Sequence, residues 1–362
     1  MDSVSARHCG RMSILTPGGS RVTLDGPASL PIVIPHLLGF HPVSSLVVIG
    51  LDADRSRVRV TCRVDIPDPV PQRGAWTALI RALRQSSAAS AIVAVYPASA
   101  ESLNELPHFE VVDSLVTGLN GAGFRVRDAL AISGRKYRSY WCPDDGCCPD
   151  AGAEPSSEYA LSLSASLVFT GSAPHGSREA IADALKPRTA DDSIVRDIVD
   201  RRGGIEMRLP AGSLEKVTAL VDALSEPEPL SLSTLVRLTV FAAHVCVDVH
   251  VRDMFLFALT RSPDRATLAR AREILSEVVR CFEGVERAAG AACLAVCAWV
   301  CGDGASARIA ADIALDADPT CRLAALVAIA IDRGQPPSLW TELLDHLSLE
   351  QLAAVGQPRE EF

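Results

Sequence analysis

The sequence predicts an α/β domain built on a mixed sheet, followed by an all-α helical domain with a tetratricopeptide-like helix pair. Three observations predict it. Short β-rich runs alternate with helical segments through the first half of the chain, strand signals vanish after about Ser213, and every later segment repeats its apolar residues at helical spacing. A length of 362 residues suits about two domains at roughly 150 residues each. The division expected is a loose lead-in over 1–20, an α/β domain over 21–205 and a helical domain over 206–362.

Residues 1–20 are polar and end at the Pro17-Gly18-Gly19-Ser20 turn. Residues 21–24 read as a short strand and 27–38 as an apolar helix that Pro35 breaks late, with Gly39 suited to its end. Residues 44–51 and 57–64 are β-rich runs around the polar LDADRSR turn, which makes a hairpin. Helical spacing over 76–83 and a continuous apolar run over 91–96 then give a crossover unit. The pattern repeats once, with a helix over 111–119, glycines 121 and 123 at its exit, and a strand over 126–132. Ligands of such sheets gather outside the carboxyl ends of parallel strands, which points to the loops after Tyr96 and Ile132.

Helices are expected over 214–224, 230–259, 265–281, 286–301, 305–317, 320–332 and 339–347, punctuated by Pro227 and Pro229. Residues 302–319 resemble the second half of a tetratricopeptide repeat, with Ala307, Ala314 and Pro319 at its offsets and Leu294 upstream. Shifts by one repeat length give no comparable match, so the sequence supports one helix pair and leaves a regular superhelix unproven. Cys293, Cys297 and Cys301 read as an apolar packing stripe, and His244 and His250 as histidines satisfied inside one long helix.

The chemistry is concentrated in residues 135–149, RKYRSYWCPDDGCCP. Lys136 and Arg138 alternate with Tyr137, and Tyr140 and Trp141 follow, as in a strand with two unlike faces. Pro143-Asp144-Asp145-Gly146 then forms a turn. It leaves Cys142 on one side and Cys147 and Cys148 on the other. Three thiols at one turn are candidate zinc ligands, completed by His36 and His41 of PHLLGFHP. The Cys142-x4-Cys147 spacing is at the outer limit for a knuckle, and adjacent cysteines project differently. The sequence therefore favours a compact loop with partly buried thiols, with zinc as the alternative.

PHLLGFHP followed by SSLVVIGL, together with RSYWCPDDGCCP, resembles an uncharacterised bacterial, actinobacterial-type family classed only as a domain of unknown function, number 4192. The resemblance implies that 35–42 and 138–149 are the family's signature and that similarity covers most of the chain. It carries no reaction and therefore no catalytic residues.

A net charge of -9 excludes a general nucleic-acid binder, whose affinity would come from neutralising phosphates. No G-x-G-x-x-G or Walker cradle follows a strand, and GLNGAG at 118–123 has Asn120 where a glycine belongs. Ser172, His175 and Ser177 of GSAPHGS lack the nucleophile-elbow pattern. Asp191 and Asp192 read as a helix start, and Asp65 and Asp68 as turn residues. Eleven cysteines, many in apolar helical segments with no apolar leader, indicate a reducing cytoplasm. Prolines and histidines interrupt 29–51, so no membrane span is expected. Two functions fit. The first is a non-catalytic adaptor or regulator that binds a protein partner or small ligand through His36, His41, Arg138, Tyr140 and Trp141. The second is an enzyme or metal-dependent protein that joins His36 and His41 to the 135–149 segment, with Arg138 holding an anion.

Overall fold

The computed structural model describes residues 12–15, 21–24, 26–53, 57–70, 76–98, 103–169, 173–204, 210, 212–261 and 264–355. Contacts divide the chain into two compact units, Met1–Arg178 with Asp332–Pro336, and Glu179–Ile331 with Pro337–Phe362.

The first unit holds a mixed five-stranded sheet with helices. Its elements are β1 (Met12–Leu15), β2 (Arg21–Leu24), α1 (Leu30–Leu38), β3 (Ser45–Leu51), β4 (Val58–Asp65), α2 (Thr77–Gln85), β5 (Ser90–Tyr96), α3 (Phe109–Gly121), β6 (Arg125–Ser133), β7 (Lys136–Ser139) and α4 (Ser157–Phe169). The strand order is β4-β3-β5-β6-β7. Only β5 and β6 run parallel. The expected hairpin is β3–β4, and the chain then crosses by way of α2 to the far side of β3. A second crossover through α3 joins β5 to its neighbour β6.

Both central strands, β3 and β5, are buried at every position. One face, carrying Leu46, Val48, Val93, Val95, Ala129 and Ala131, packs against Leu79 and Leu83 of α2 and Val112, Leu115 and Leu119 of α3. The opposite face, with Val47, Ile49, Ile92, Ala94, Leu130 and Ile132, is equally buried. α1 packs on β4 and α4, and none of its buried residues joins the α2–α3 core, which places it in the second layer.

Two local expectations change. Met12–Leu15, assigned to the lead-in, is a strand paired with β2, and its Met12 and Ile14 are buried. Pro35 does not break α1. A proline there forfeits one bond, to the carbonyl four residues back in the first turn, and the helix runs on to Leu38, where Gly39 at φ 79° ends it.

The second unit is helical. After α5 (Arg178–Ala184) and α6 (Ser193–Gly204) come α7 (Ser213–Ser225), α8 (Leu232–Val247), α9 (Val249–Arg261), α10 (Arg265–Cys281), α11 (Gly284–Val300), α12 (Gly304–Ala317), α13 (Arg322–Asp332), α14 (Ser338–Leu344) and α15 (Leu349–Val355). The single long helix expected over 230–259 is two, bent by 116°. Asp248 makes the break. Its Oδ1 accepts the amides of His250 and Val251 at 3.0 and 3.2 Å and so starts a new helix. His244 is consequently on the exposed side of α8 and His250 is only partly buried, which corrects the expectation that both lie inside. Cys293 and Cys297 are fully buried in α11, whereas Cys301, just past its last turn, is exposed. The α11–α12 pair closes on the small faces of Ala307, Ala310, Ala311 and Ala314. Among the described residues, no single helix is long and apolar enough to cross a membrane.

Asp332–Pro336 returns to the first unit, where Gly334 lies on α2 at φ 65°. A Cβ at this position would stand 2.6 Å from Ala82 Cβ and 3.0 Å from its Cα. Gly334→Ala therefore meets both a left-handed backbone and a rigid neighbour, and is expected to lower stability by about 1–3 kcal/mol. The denaturant midpoint relative to the parent protein measures this.

Candidate functional site

The site grows out of the outer edge of the sheet. β7 is short because Tyr140, although its amide still bonds the Ala129 carbonyl at 2.9 Å, leads straight into the turn. An edge strand presents unpaired backbone groups. Here the chain covers its own edge: Tyr137 and Ala153 exchange two backbone bonds of 2.9 Å, and the Ser139 amide donates to the Cys148 sulfur.

Register assigns the side chains to faces. Arg138 stands opposite Ala131 and points, with Tyr140, to the α2–α3 side. Its guanidinium, 17% exposed, donates to the Leu103 and Asn104 carbonyls at 2.8 Å each and pairs with Asp150. The Tyr140 hydroxyl donates to the Pro107 carbonyl, and burial raises its pKa above the ordinary phenol value. The loops after Tyr96 and Ile132 are thus bonded to each other. Trp141 stays 41% exposed, its amide donating to Ser139 Oγ at 3.2 Å. Ser139 Oγ in turn donates to Asp128 Oδ1 at 2.7 Å. Asp128 is a wholly buried carboxylate that the sequence reading passes over, although an acid inside the apolar run RVRDALAIS was its signal.

The turn gathers the thiols. The Asp144 carbonyl accepts the amides of Cys147 and Cys148 at 3.0 and 2.7 Å, and its Oδ1 accepts that of Gly146 at 2.9 Å. Curled this way, adjacent cysteines converge: the sulfurs of Cys142, Cys147 and Cys148 all lie within 4.8 Å of one another, with Cys147 and Cys148 3.9 Å apart. Burial, then its thiol neighbours, pushes Cys148 up to about 12. Cys147 is raised too, by burial first and then by the charges of Cys142 and Asp144. Thiols held protonated in this way are poor nucleophiles without a cation. Of the sequence candidates, these three are the set that can hold a metal.

The other signature segment goes elsewhere. His36 is in the last turn of α1, partly buried, and His41 is exposed; neither joins the thiol cluster. PHLLGFHP feeds β3, three strand steps from β7, or about 14 Å at the usual spacing. Its neighbour is His175, whose amide donates to the Gly39 carbonyl at 2.8 Å and whose carbonyl accepts from His41 N at 3.0 Å. Ser172 of that loop lies outside the described residues. Asp192 caps α6 through Ile194 N at 2.9 Å and pairs with Arg188.

Residues 27–338 match the family described as Domain of unknown function (DUF4192). The chain belongs to that family. The match takes in both signature segments and runs through α13. No curated protein and no solved structure matches the chain.

Arg138 ties two loops together through three acceptors. Arg138→Ala is expected to cost about 2–3 kcal/mol and to speed amide exchange in both 103–107 and 140–153. Arg138→Lys restores little, since an ammonium lacks the planar fork that reaches two carbonyls and a carboxylate together. Hydrogen–deuterium exchange on the two variants measures both effects.

Proposed function

We propose that this member of the DUF4192 family is a non-catalytic binding protein, which recognises a protein partner through the rim of the 140–150 loop with Trp141 at its centre. One observation carries the reading. Trp141 is held 41% exposed, whereas Trp76 and Trp299 are 7% and 5% exposed, and it follows Arg138 and Tyr140, whose polar groups are bonded inward. Tryptophan offers a large apolar surface with few torsions to freeze, and a preformed loop reduces the ordering cost of association.

Turnover has less support. The arginine suggested as an anion holder spends its guanidinium on Leu103, Asn104 and Asp150. The histidines suggested as base or ligand belong to the segment leading into β3, in the other layer. Enzymatic use of His36 and His41 with the 135–149 segment would need one substrate to span the three strand steps between β3 and β7.

Trp141→Ala removes a side chain that is still more than half covered, so stability should fall by about 1–3 kcal/mol while the protein stays folded. Binding should fall by about thirty-fold or more, equivalent to at least 2 kcal/mol at an interface centre. A photo-crosslinking residue placed at position 141 in the parent cell, with titration of the captured protein against both forms, measures the effect. Equal affinity for the two forms would remove Trp141 from the interface and the proposal with it.

A further inference from the structure

We infer that Cys142, Cys147 and Cys148 bind one zinc ion as thiolates, leaving a fourth coordination position for water. This goes beyond partner recognition and does not rest on it.

The argument is geometric. Zinc–thiolate bonds of about 2.3 Å in a tetrahedral shell set neighbouring sulfurs about 3.8 Å apart. Cys147 and Cys148 already stand at 3.9 Å, and Cys142 lies within 4.8 Å of both, so closing the shell moves it by about 1 Å or less. The cage is built by backbone and not by chance side-chain approach: two amides on the Asp144 carbonyl curl the turn, and the Tyr137–Ala153 pair fixes its return. Such rigidity favours a site assembled before the ion arrives.

The surroundings suit a divalent cation. Ser139 N–H donates to the Cys148 sulfur, the kind of outer contact that steadies a metal-bound thiolate. The Asp144 charge acts on Cys147, adding negative potential. Three sulfur donors select a thiophilic ion over magnesium or calcium, which require oxygen. Each S–H gives up its proton to solvent as the S–Zn bond forms, so full occupancy releases three protons and leaves the centre with one net negative charge. The other cysteines do not compete: Cys293 and Cys297 are buried in α11, and among the described residues only the loop trio forms a cluster of this type.

The full chain, purified without a histidine tag under reducing conditions, should contain zinc at one ion per chain by elemental analysis. Chelator-stripped protein titrated with Co2+ should develop thiolate-to-metal charge-transfer absorption and the intense visible bands of a tetrahedral centre. Cys142→Ser, Cys147→Ser and Cys148→Ser should each lose stoichiometric metal, whereas Cys301→Ser and Trp141→Ala keep it. Zinc should also shield all three loop thiols, but not Cys301, from alkylation in the parent protein, a readout that does not depend on the variants folding. Absence of uptake, uptake that survives loss of the three thiols, or a Cys147–Cys148 disulfide that persists in reductant would each overturn the assignment. Retention of metal by Trp141→Ala separates this result from any failure of the partner-binding reading.

Discussion

Burial of β3 and β5 on both faces is the constraint on which the first unit depends. A strand that meets no water on either side must be largely apolar, as β3 and β5 are apart from Ser45 and Ser90 at their first positions and Tyr96 at the end of β5, and it forces a layer of helices onto each face. Fully burying a side chain such as Val48 or Ile92 contributes about 1.5–3 kcal/mol, well above the tenths typical of a surface position. Once the centre is sealed in this way, the parts of the sheet open to solvent chemistry are its ends and its two outer strands.

The crowded segment 135–149 follows from that arrangement. β7 is an outermost strand of four residues, and its free amides are taken up by Ala153 and the Cys148 sulfur. Arg138 and Tyr140 then reach inward to the carbonyls of residues 103, 104 and 107, so that the loop following β5 is bonded to the strand following β6. The same residue types that suggest ligand binding in a bare sequence thus hold the scaffold together. Left facing outward are the indole of Trp141 and the turn over residues 143–147, which carries the exposed Cys147 thiol.

Much of the fold was legible because it is written in periodicity. The β3–β4 hairpin, both crossovers and most of the helices follow from apolar spacing, which depends on local sequence alone. What went unread depends on single polar atoms. Asp248 splits a run that is apolar on either side, and Ser348 with Gln351 forms a reciprocal cap that starts α15 unannounced. The candidate site was legible in its residues but not in its neighbourhoods. Spacing placed three thiols at one turn, yet their convergence depends on both amides sharing the Asp144 carbonyl, and no composition rule specifies that. Likewise, nothing in PHLLGFHP announces that it will lie beside His175 in place of the cysteine loop, since that outcome is set by strand order.

The return of Asp332–Pro336 to the first unit bears on how the molecule comes into being. Chains emerge from the ribosome at about 5–20 residues per second, and early domains generally close before later ones appear. Here the segment that packs on Ala82 of α2 is translated only after more than 150 further residues, those between Arg178 and Asp332. Until then that patch of α2 around Ala82 lacks its last covering segment, so the first unit completes its packing late in synthesis.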